Sequence, residues 1–460
     1  MSRYRIIAAT AVAAALTCSV AAPAFAHGRG HGHGHGGTDP KSAVQLYTES
    51  IKPLGTAGGV SIDGAAYGSS FTAKPGSKDL FYGLTDRGPN VDGPDGVKVE
   101  PLPDFTPAIG EFRLHNGKAT LLKRIPLQAA DGTPYNGQTS LAGSTGETIV
   151  DLNGKKLPAS PYGYDPEGIV ALRDGSFWVS DEYGPFITHF SRDGRQLERL
   201  SPFDGSLPVE LSEREPNKGM EGLTITPDGR TLVGMMQAGL NAPDGPKSKN
   251  VNAVRIVTID LKTRRTAQYV YLLHSDSTPT TAVSEISALN NHEFLVDERD
   301  GAMEPGANKK IFKIDLNGAT DVSKFSKVKN STYDATNGGL LVDGKTIEAT
   351  VGKDGTTAAT KDLAAVGIKP VKSALFLDVA GLVTAIDPKG DFYGHDKVEG
   401  VAVLDGGKRL VISNDSDFGI DALANDSTPY QLHAKVLPNG KQDTGELLEV
   451  TMDKVPAQFK

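Results

Sequence analysis

Short apolar runs broken by Gly- and Asn-centred turns recur along the chain. Four segments share one order of residues: a Glu, usually Glu-Gly, then alternating apolar residues, a turn, a second apolar run and a cluster of acids. The first runs Asp165-Pro166-Glu167-Gly168-Ile169-Val170-Ala171-Leu172, turns at Asp174-Gly175, continues Phe177-Trp178-Val179 and closes on Ser180-Asp181-Glu182. The second starts at Met220-Glu221-Gly222 and returns through Leu232-Val233-Gly234-Met235. The third starts at Ser284-Glu285-Ile286 and closes on Asp297-Glu298-Arg299-Asp300, and the fourth starts at Val398-Glu399-Gly400 and closes on Asn414-Asp415-Ser416-Asp417. A degenerate fifth lies upstream, from Ile62-Asp63-Gly64 through Leu80-Phe81-Tyr82 to Thr85-Asp86-Arg87-Gly88. Each unit predicts a β-hairpin, because Asp-Gly and Asn-containing turns supply the positive-φ positions that tight hairpins need.

Further strand-like pieces lie between the units: Glu111–Leu114, Val254–Asp260, Tyr269–Tyr271 and Lys310–Asp315. Added to the hairpins they make four-stranded blades. The expected fold is an all-β propeller with loop insertions. The long gap between residues 300 and 399 leaves room for a hidden blade, so six blades are expected, with seven as the runner-up. Thr360–Val366 reads as a short helix. A closed ring leaves few open edges, and the stretches Val44–Ile51 and Leu447–Met452 are placed to pair and close it.

Composition narrows the class. A chain of 460 residues that is 38% hydrophobic can fill a core, and its 53 Gly and 28 Pro suit a turn-rich fold. A net charge of −8 argues against nucleic-acid or anionic-membrane partners, which need a basic surface. Arg3 and Arg5, the apolar stretch from Ile6 to Val20, and Ala24-Phe25-Ala26 read as a signal peptide over residues 1–26, cleaved after Ala26. The two arginines are not adjacent, which favours the general secretory route and a secreted protein. Residues 27–39 form a flexible leader in which His27, His31, His33 and His35 alternate with glycine. It reads as a solvated linker, the alternative being capture of a soft metal. Residues 40–460 read as one domain with no stretch apolar enough to span a membrane. Cys18, the single cysteine, falls in the signal, so disulfides, Cys-ligated zinc and thiolate catalysis are excluded for the mature chain.

The segments YDPEGIVALRDGSFWVSDEYGPFI (164–187), NKGMEGLTITPDGRTL (217–232), SEISAL with FLVDERDG (284–301), KVEGVAVLDGGKRLVISNDSDFG (397–419) and LTDRGPN (84–90) carry a resemblance. Together and in order they resemble the phytase-like domain family, the "esterase-like activity of phytase" proteins. The resemblance implies a propeller, export and hydrolysis of phosphate or carboxylic esters.

The residues themselves suggest where chemistry would sit. Residues at one repeat position are related by rotation about the propeller axis, so Glu167, Glu221, Glu285 and Glu399 should converge, with Asp63 in the fifth slot. Converging carboxylates repel unless cations or donors compensate. A hard cation, Ca²⁺ above all, suits an oxygen-only ligand set, with Asp86 and Asp181 as further ligands beside the four Glu. The alternative is that each Glu only staples backbone amides of the next blade. Asp297, Asn414 and Asp415 end second strands and could also contribute. Glu167 and Glu221 are the candidate catalytic carboxylates, and Arg299 is the candidate grip on a phosphate, Arg87 being placed similarly. His189 and His395 are secondary candidates as bases, and Trp178 reads as core. Gly143-Ser144-Thr145-Gly146 lacks the spacing of a nucleophile elbow, and His-Glu-x-x-His and P-loop motifs are absent. The reading is an exported, Ca²⁺-dependent hydrolase acting on a small-molecule ester or phosphate ester as a monomer. A non-catalytic propeller binding a ligand or protein is the alternative.

Overall fold

Each hairpin read from the sequence forms the inner half of a four-stranded antiparallel sheet in the computed structural model, which describes residues 39–143 and 146–460. Blade 1 comprises Ser70–Ala73, Leu80–Leu84, Ala108–His115 and Lys118–Pro126. Blade 2 comprises Pro166–Ala171, Phe177–Asp181, Ile187–Phe190 and Gln196–Leu200. Blade 3 comprises Met220–Ile225, Thr231–Met236, Ala253–Asp260 and Thr266–Leu272. Blade 4 comprises Ala282–Ala288, Glu293–Arg299, Lys309–Asp315 and Lys372–Asp378. Blade 5 holds Val398–Leu404, Arg409–Asn414 and Glu446–Thr451, and takes its fourth strand, Val44–Glu49, from the other end of the chain. That strand pairs from Val44↔Val450 to Thr48↔Glu446, so the two stretches proposed to close the ring do meet.

The first strands of successive blades pack side by side in order, and that of blade 5 packs on that of blade 1. Apolar clusters follow the same circuit. Ile109 and Ile125 meet Phe177 and Val179 between blades 1 and 2, and Val170 and Trp178 join Met220, Val257 and Phe294 across blades 2 to 4. Leu295 and Ile311 meet Val401 and Ile412 between blades 4 and 5, and Ala402 and Val411 meet Phe71 and Phe81 between blades 5 and 1. The fold is all-β and propeller-like, with three short helices among the described residues.

Among the described residues, blades 1 and 5 join into one eight-stranded sheet through the parallel pairing of Val44–Glu49 with Lys118–Pro126, and a further four-stranded sheet is made of Val91–Asp92, Lys98–Glu100, Ile149–Asp151 and Lys156–Leu157. The gap between residues 300 and 399 does not hide a blade. Lys372–Asp378 is the outer strand of blade 4, and the rest is an insertion: a hairpin of Ser331–Asp334 with Gly339–Val342, then helices Ile347–Val351 and Thr356–Ala365. The second of these covers the short helix expected at Thr360–Val366. The insertion packs Leu340, Ile347, Val351 and Leu363 on Val251, Val270 and Leu272 of blade 3. It is also pinned by Glu348, whose carboxylate meets the guanidinium of Arg255 at 2.7 Å with both side chains buried. No helix among the described residues is long and apolar enough to cross a membrane. The signal peptide and nearly all of the His/Gly leader lie outside the described residues.

The Glu-Gly pair has a structural reason. In blades 2, 3 and 5 the register between the first two strands slips by one residue beside this pair, between Pro166 and Ile169, Met220 and Gly222, and Val398 and Val401, and in blade 4 it slips between Val283 and Glu285, where Ser284-Glu285 takes the place of Glu-Gly. Such a bulge re-aims a side chain at a strand end. The glycine lets the next inner strand approach. A Cβ on Gly168 would lie 2.7 Å from Leu223 N, on Gly222 2.5 Å from Ile286 N, and on Gly400 2.3 Å from Phe71 N. These contacts also fix the fifth slot: Ser69-Ser70 stands in blade 1 where blades 2, 3 and 5 carry Glu and Gly and blade 4 carries Ser284-Glu285. Asp63 is elsewhere, accepting hydrogen bonds from Ser416 Oγ at 3.3 Å and Thr444 Oγ1 at 3.0 Å. Gly222→Ala is therefore expected to destabilise the protein by about 1–3 kcal/mol through overpacking. Gly301→Ala, where nothing lies within 4 Å of the added Cβ, should stay within about 0.5 kcal/mol. Urea denaturation of the two variants reads the difference, and equal midpoints would refute the close-approach role.

Candidate functional site

At the end where the inner strands begin, the ring opens into a cavity of about 370 Å³. Glu167, Glu221 and Glu399 line it, as do Asp86 and Arg299. Its wall includes residues just past the second strands: Glu182, Gln237 and Asp415 directly follow theirs in blades 2, 3 and 5, and Asp86 lies two residues past that of blade 1. In all, eleven carboxylates face five cationic side chains.

Two of the residues expected here are not brought to the cavity. Glu285 reaches across the channel to accept from Ser70 Oγ at 2.5 Å, and also accepts from Leu223 N at 3.2 Å and Ile286 N at 2.9 Å. It is a staple, the alternative raised for all four Glu. Asp181 turns into the blade, where its Oδ1 accepts from the N–H groups of Tyr183 at 2.7 Å and Gly184 at 3.2 Å. It shapes the Tyr183-Gly184 turn, and burial pushes its carboxyl up to about 8. Asp297 is likewise buried inside its blade, and the Asn414 amide donates to Thr444 O at 3.2 Å.

The tightest acidic group in the cavity is Asp165, Glu167 and Glu182, all buried, with one oxygen from each within 4.8 Å of the others. Gln237 donates to Glu182 at 2.7 Å and to Glu221 at 3.1 Å. Asn217, with its amide oriented to satisfy both ends, donates to Asp165 at 2.8 Å and Glu182 at 3.2 Å. The Arg87 N–H donates to Asp165 at 3.2 Å. No donor among the described residues hydrogen-bonds the Glu167 carboxylate. Burial pushes Glu167 well up, and the carboxylates of Asp165, Glu221 and Glu182 push it further. Glu182 rises well above its usual range through burial and then Glu221 and Asp165. Glu221 reaches about 8 through burial and the Glu399 carboxylate. Glu399 is raised by burial, but Arg299 holds it to about 7. This donor set is all oxygen, crowded and short of compensating charge. It fits a hard divalent cation.

The cations sit around the triad. Arg299 is ion-paired with Glu399 of the neighbouring blade and donates through Nε to Ser284 Oγ at 2.9 Å. Lys397 lies 3.1 Å from Asp415 and 2.5 Å from Asp417. Lys218 donates to Gln237 at 2.7 Å. Arg87 lies 3.3 Å from Glu147 and 3.8 Å from Asp165, with its guanidinium over the Tyr183 ring. Both arginines bridge to neighbouring segments rather than closing their own blade ends.

The histidines do not serve the site. His395 is buried with Nδ1 2.8 Å from Asp443 and Nε2 3.2 Å from Glu446, which hold it up to about 9 against the cost of burial. With neither nitrogen free it is no base. His189 stacks on Trp178 in blade 2, and Trp178 is core as expected. The residues that sequence reasoning missed are Asp165, Glu182, Lys218, Gln237 and Lys397. Strand alternation carried the signal for Glu182: its neighbour Asp181 opposes Pro166 inside the sheet, so the next residue faces the opposite way.

The sequence matches the phytase-like family, described as esterase-like activity of phytase, over residues 66–418. Among known proteins it is similar to an uncharacterized secreted protein of Arthroderma benhamiae, 29% identical over 323 residues, a match covering 57% of this chain and 62% of that one. The match thus spans less than two thirds of the relative's length. Similar solved structures include hydrazine synthase of Kuenenia stuttgartiensis, 13% identical with a TM-score of 0.28, covering 72% of this chain and 94% of that chain. Another is a protein from Lactobacillus plantarum, 12% identical with a TM-score of 0.31, covering 86% and 87%. Likeness at these scores says nothing of activity. The family match, by contrast, runs from the turn before blade 1 to the acids that follow the second strand of blade 5, and so takes in every cavity residue named above: the chain belongs to the phytase-like family.

Proposed function

We propose that the protein is an exported hydrolase of phosphate or carboxylic esters, working at the channel mouth with a divalent cation, Ca²⁺ first, held by Asp165, Glu167 and Glu182. The observation that carries this reading is the buried triad, with no donor to Glu167 among the described residues, set beside cationic side chains in one cavity. The family description supports ester hydrolysis, and the secreted relative and the apolar N-terminal segment support export.

When bound, the cation supplies charge neutralisation and Lewis-acid polarisation of an ester oxygen. The chain's own groups do the rest. Lys218, Lys397 and Arg299 provide positive charge for an anionic substrate. Glu221, raised to about 8, holds a proton at neutral pH and can deliver it to a departing alkoxide. Glu399 keeps Arg299 in place.

A panel of phosphomonoesters and carboxylesters, assayed with Ca²⁺ and with chelator, tests the reading. Glu167→Gln and Glu221→Gln are each expected to cut Ca²⁺-dependent hydrolysis at least about tenfold, about 1.4 kcal/mol of transition-state stabilisation. Activity left intact in both variants would place the chemistry elsewhere, and no turnover of any ester would favour a binding module.

A further inference from the structure

We infer that Ser373, His274 and Glu298 form a second, metal-independent site for acyl transfer, separate from the channel mouth. In blade 4 Arg299 holds the position that Glu182, Gln237 and Asp415 hold in blades 2, 3 and 5, and the residue before it, Glu298, turns its carboxylate away from the cavity. It is 2% exposed and accepts from Tyr271 Oη at 2.5 Å, Thr281 Oγ1 at 3.0 Å and the His274 N–H at 3.2 Å. His274 Nδ1 lies 2.7 Å from the same carboxylate. An ionised Glu only accepts, so Nδ1 carries the proton and Nε2 is left as an acceptor. Nε2 lies 3.0 Å from Ser373 Oγ. The imidazole is fixed in plane by stacking on Phe312, with ring centroids 3.6 Å apart and planes 7° apart.

Ser373 stands exposed on the outer strand of blade 4 and lines a cavity of about 510 Å³, larger than the mouth. Leu272, Ala364, Pro370 and Val371 supply apolar wall, and Thr356 and Thr360 of the insertion helix line it as well. A short acyl chain suits that lining. The order of groups is that of a hydroxyl nucleophile, a neutral imidazole base and a buried carboxylate that orients it. Ser373 Oγ attacks the ester carbonyl carbon while its proton passes to His274 Nε2. The bond from that carbon to the alcohol oxygen then breaks, and the alcohol leaves with the His274 proton. Water, deprotonated by His274, hydrolyses the acyl-serine and returns the proton to Ser373. Glu298 is a positioning residue.

The test uses the whole chain in excess chelator, with a fluorophosphonate probe and p-nitrophenyl butyrate. The expected result is a covalent adduct mapped by mass spectrometry to Ser373 and butyrate hydrolysis that persists without divalent cation. Ser373→Ala, an exposed change that leaves the fold intact, should abolish labelling and lower hydrolysis by about a hundredfold or more. Glu298→Gln should lower kcat with little change in KM, because the imidazole loses the carboxylate that orients it. Absence of an adduct at Ser373, full hydrolysis by Ser373→Ala, or loss of all butyrate hydrolysis on chelation would each overturn the assignment.

Discussion

Stripped of divalent cations, the protein is expected to lose stability as pH rises from about 4.5 to about 8, and to regain it when Ca²⁺ is added. In the folded chain burial lifts Glu221 to about 8 and Glu399 to about 7, with Glu399 adding to the first shift and Arg299 limiting the second. Glu167 and Glu182 also stand above their ordinary range. Unfolded, all four titrate near the usual value of about 4.3. Between the two values the folded chain binds more protons than the unfolded one, so each rise in pH favours unfolding. The loss is about 1.4 kcal/mol per pH unit for each group still protonated in the fold. His395, held up to about 9 by Asp443 and Glu446 despite burial, acts in the same direction above about 6.5. Asp417, pulled down by Lys397 and Lys435 against burial, contributes only below about 4 and does not offset the trend. Cation binding requires ionised carboxylates, so rescue by Ca²⁺ should be greatest at pH 8. It amounts to about 2.7 kcal/mol at a hundredfold excess over the dissociation constant. Melting curves at pH 5, 6.5 and 8, in chelator and in Ca²⁺, give the answer. A chelated protein that melts higher at pH 8 than at pH 5 would contradict the electrostatics described here.

The second large effect belongs to the pair that pins the insertion. Glu348→Ala is expected to destabilise the protein by about 3–5 kcal/mol, because it leaves the Arg255 guanidinium buried without its counter-charge. Arg255 and Glu348 are 2% and 0% exposed, and burial pushes Glu348 up even with Arg255 beside it. An apolar replacement of both, Arg255→Met with Glu348→Leu, should recover most of the loss, since neither charge then needs solvating. Urea unfolding of the two single variants and the double variant separates the pair from its surroundings. Single variants that unfold like the parent would show that water reaches the pair.

The inner hairpins were legible because apolar alternation and Asp-Gly turns are local signals, and the strands of blades 2 to 5 start at the residues those signals mark. The stretch between residues 300 and 399 was not. A four-stranded blade whose last strand follows a long insertion, as Lys372–Asp378 does, looks in sequence like the space for another blade. The fifth inner strand was misplaced for a related reason: Ser69-Ser70 lacks the Glu-Gly mark, and Ile62-Asp63-Gly64 imitates it. At the site, rotation about the axis predicted Glu167, Glu221 and Glu399 together. It overreached at Glu285, which the register puts at the glycine position one residue past that of Glu167, Glu221 and Glu399, and at Asp181, one residue out of phase with the wall. Asp165 and Lys218 lie in connecting segments, whose path only tertiary packing determines.

The strand Val44–Glu49 also sets the timing of assembly. Some 400 residues of synthesis separate it from its partner Glu446–Thr451. Joining segments some 400 residues apart costs about 5 kcal/mol of chain entropy if nothing between them has formed. Blades 1 to 4 therefore have to condense before the ends can meet, and until the last strand arrives blade 5 exposes an unpaired edge. The ring closes last: the sheet that joins its two ends forms only once the rest of the circuit is in place.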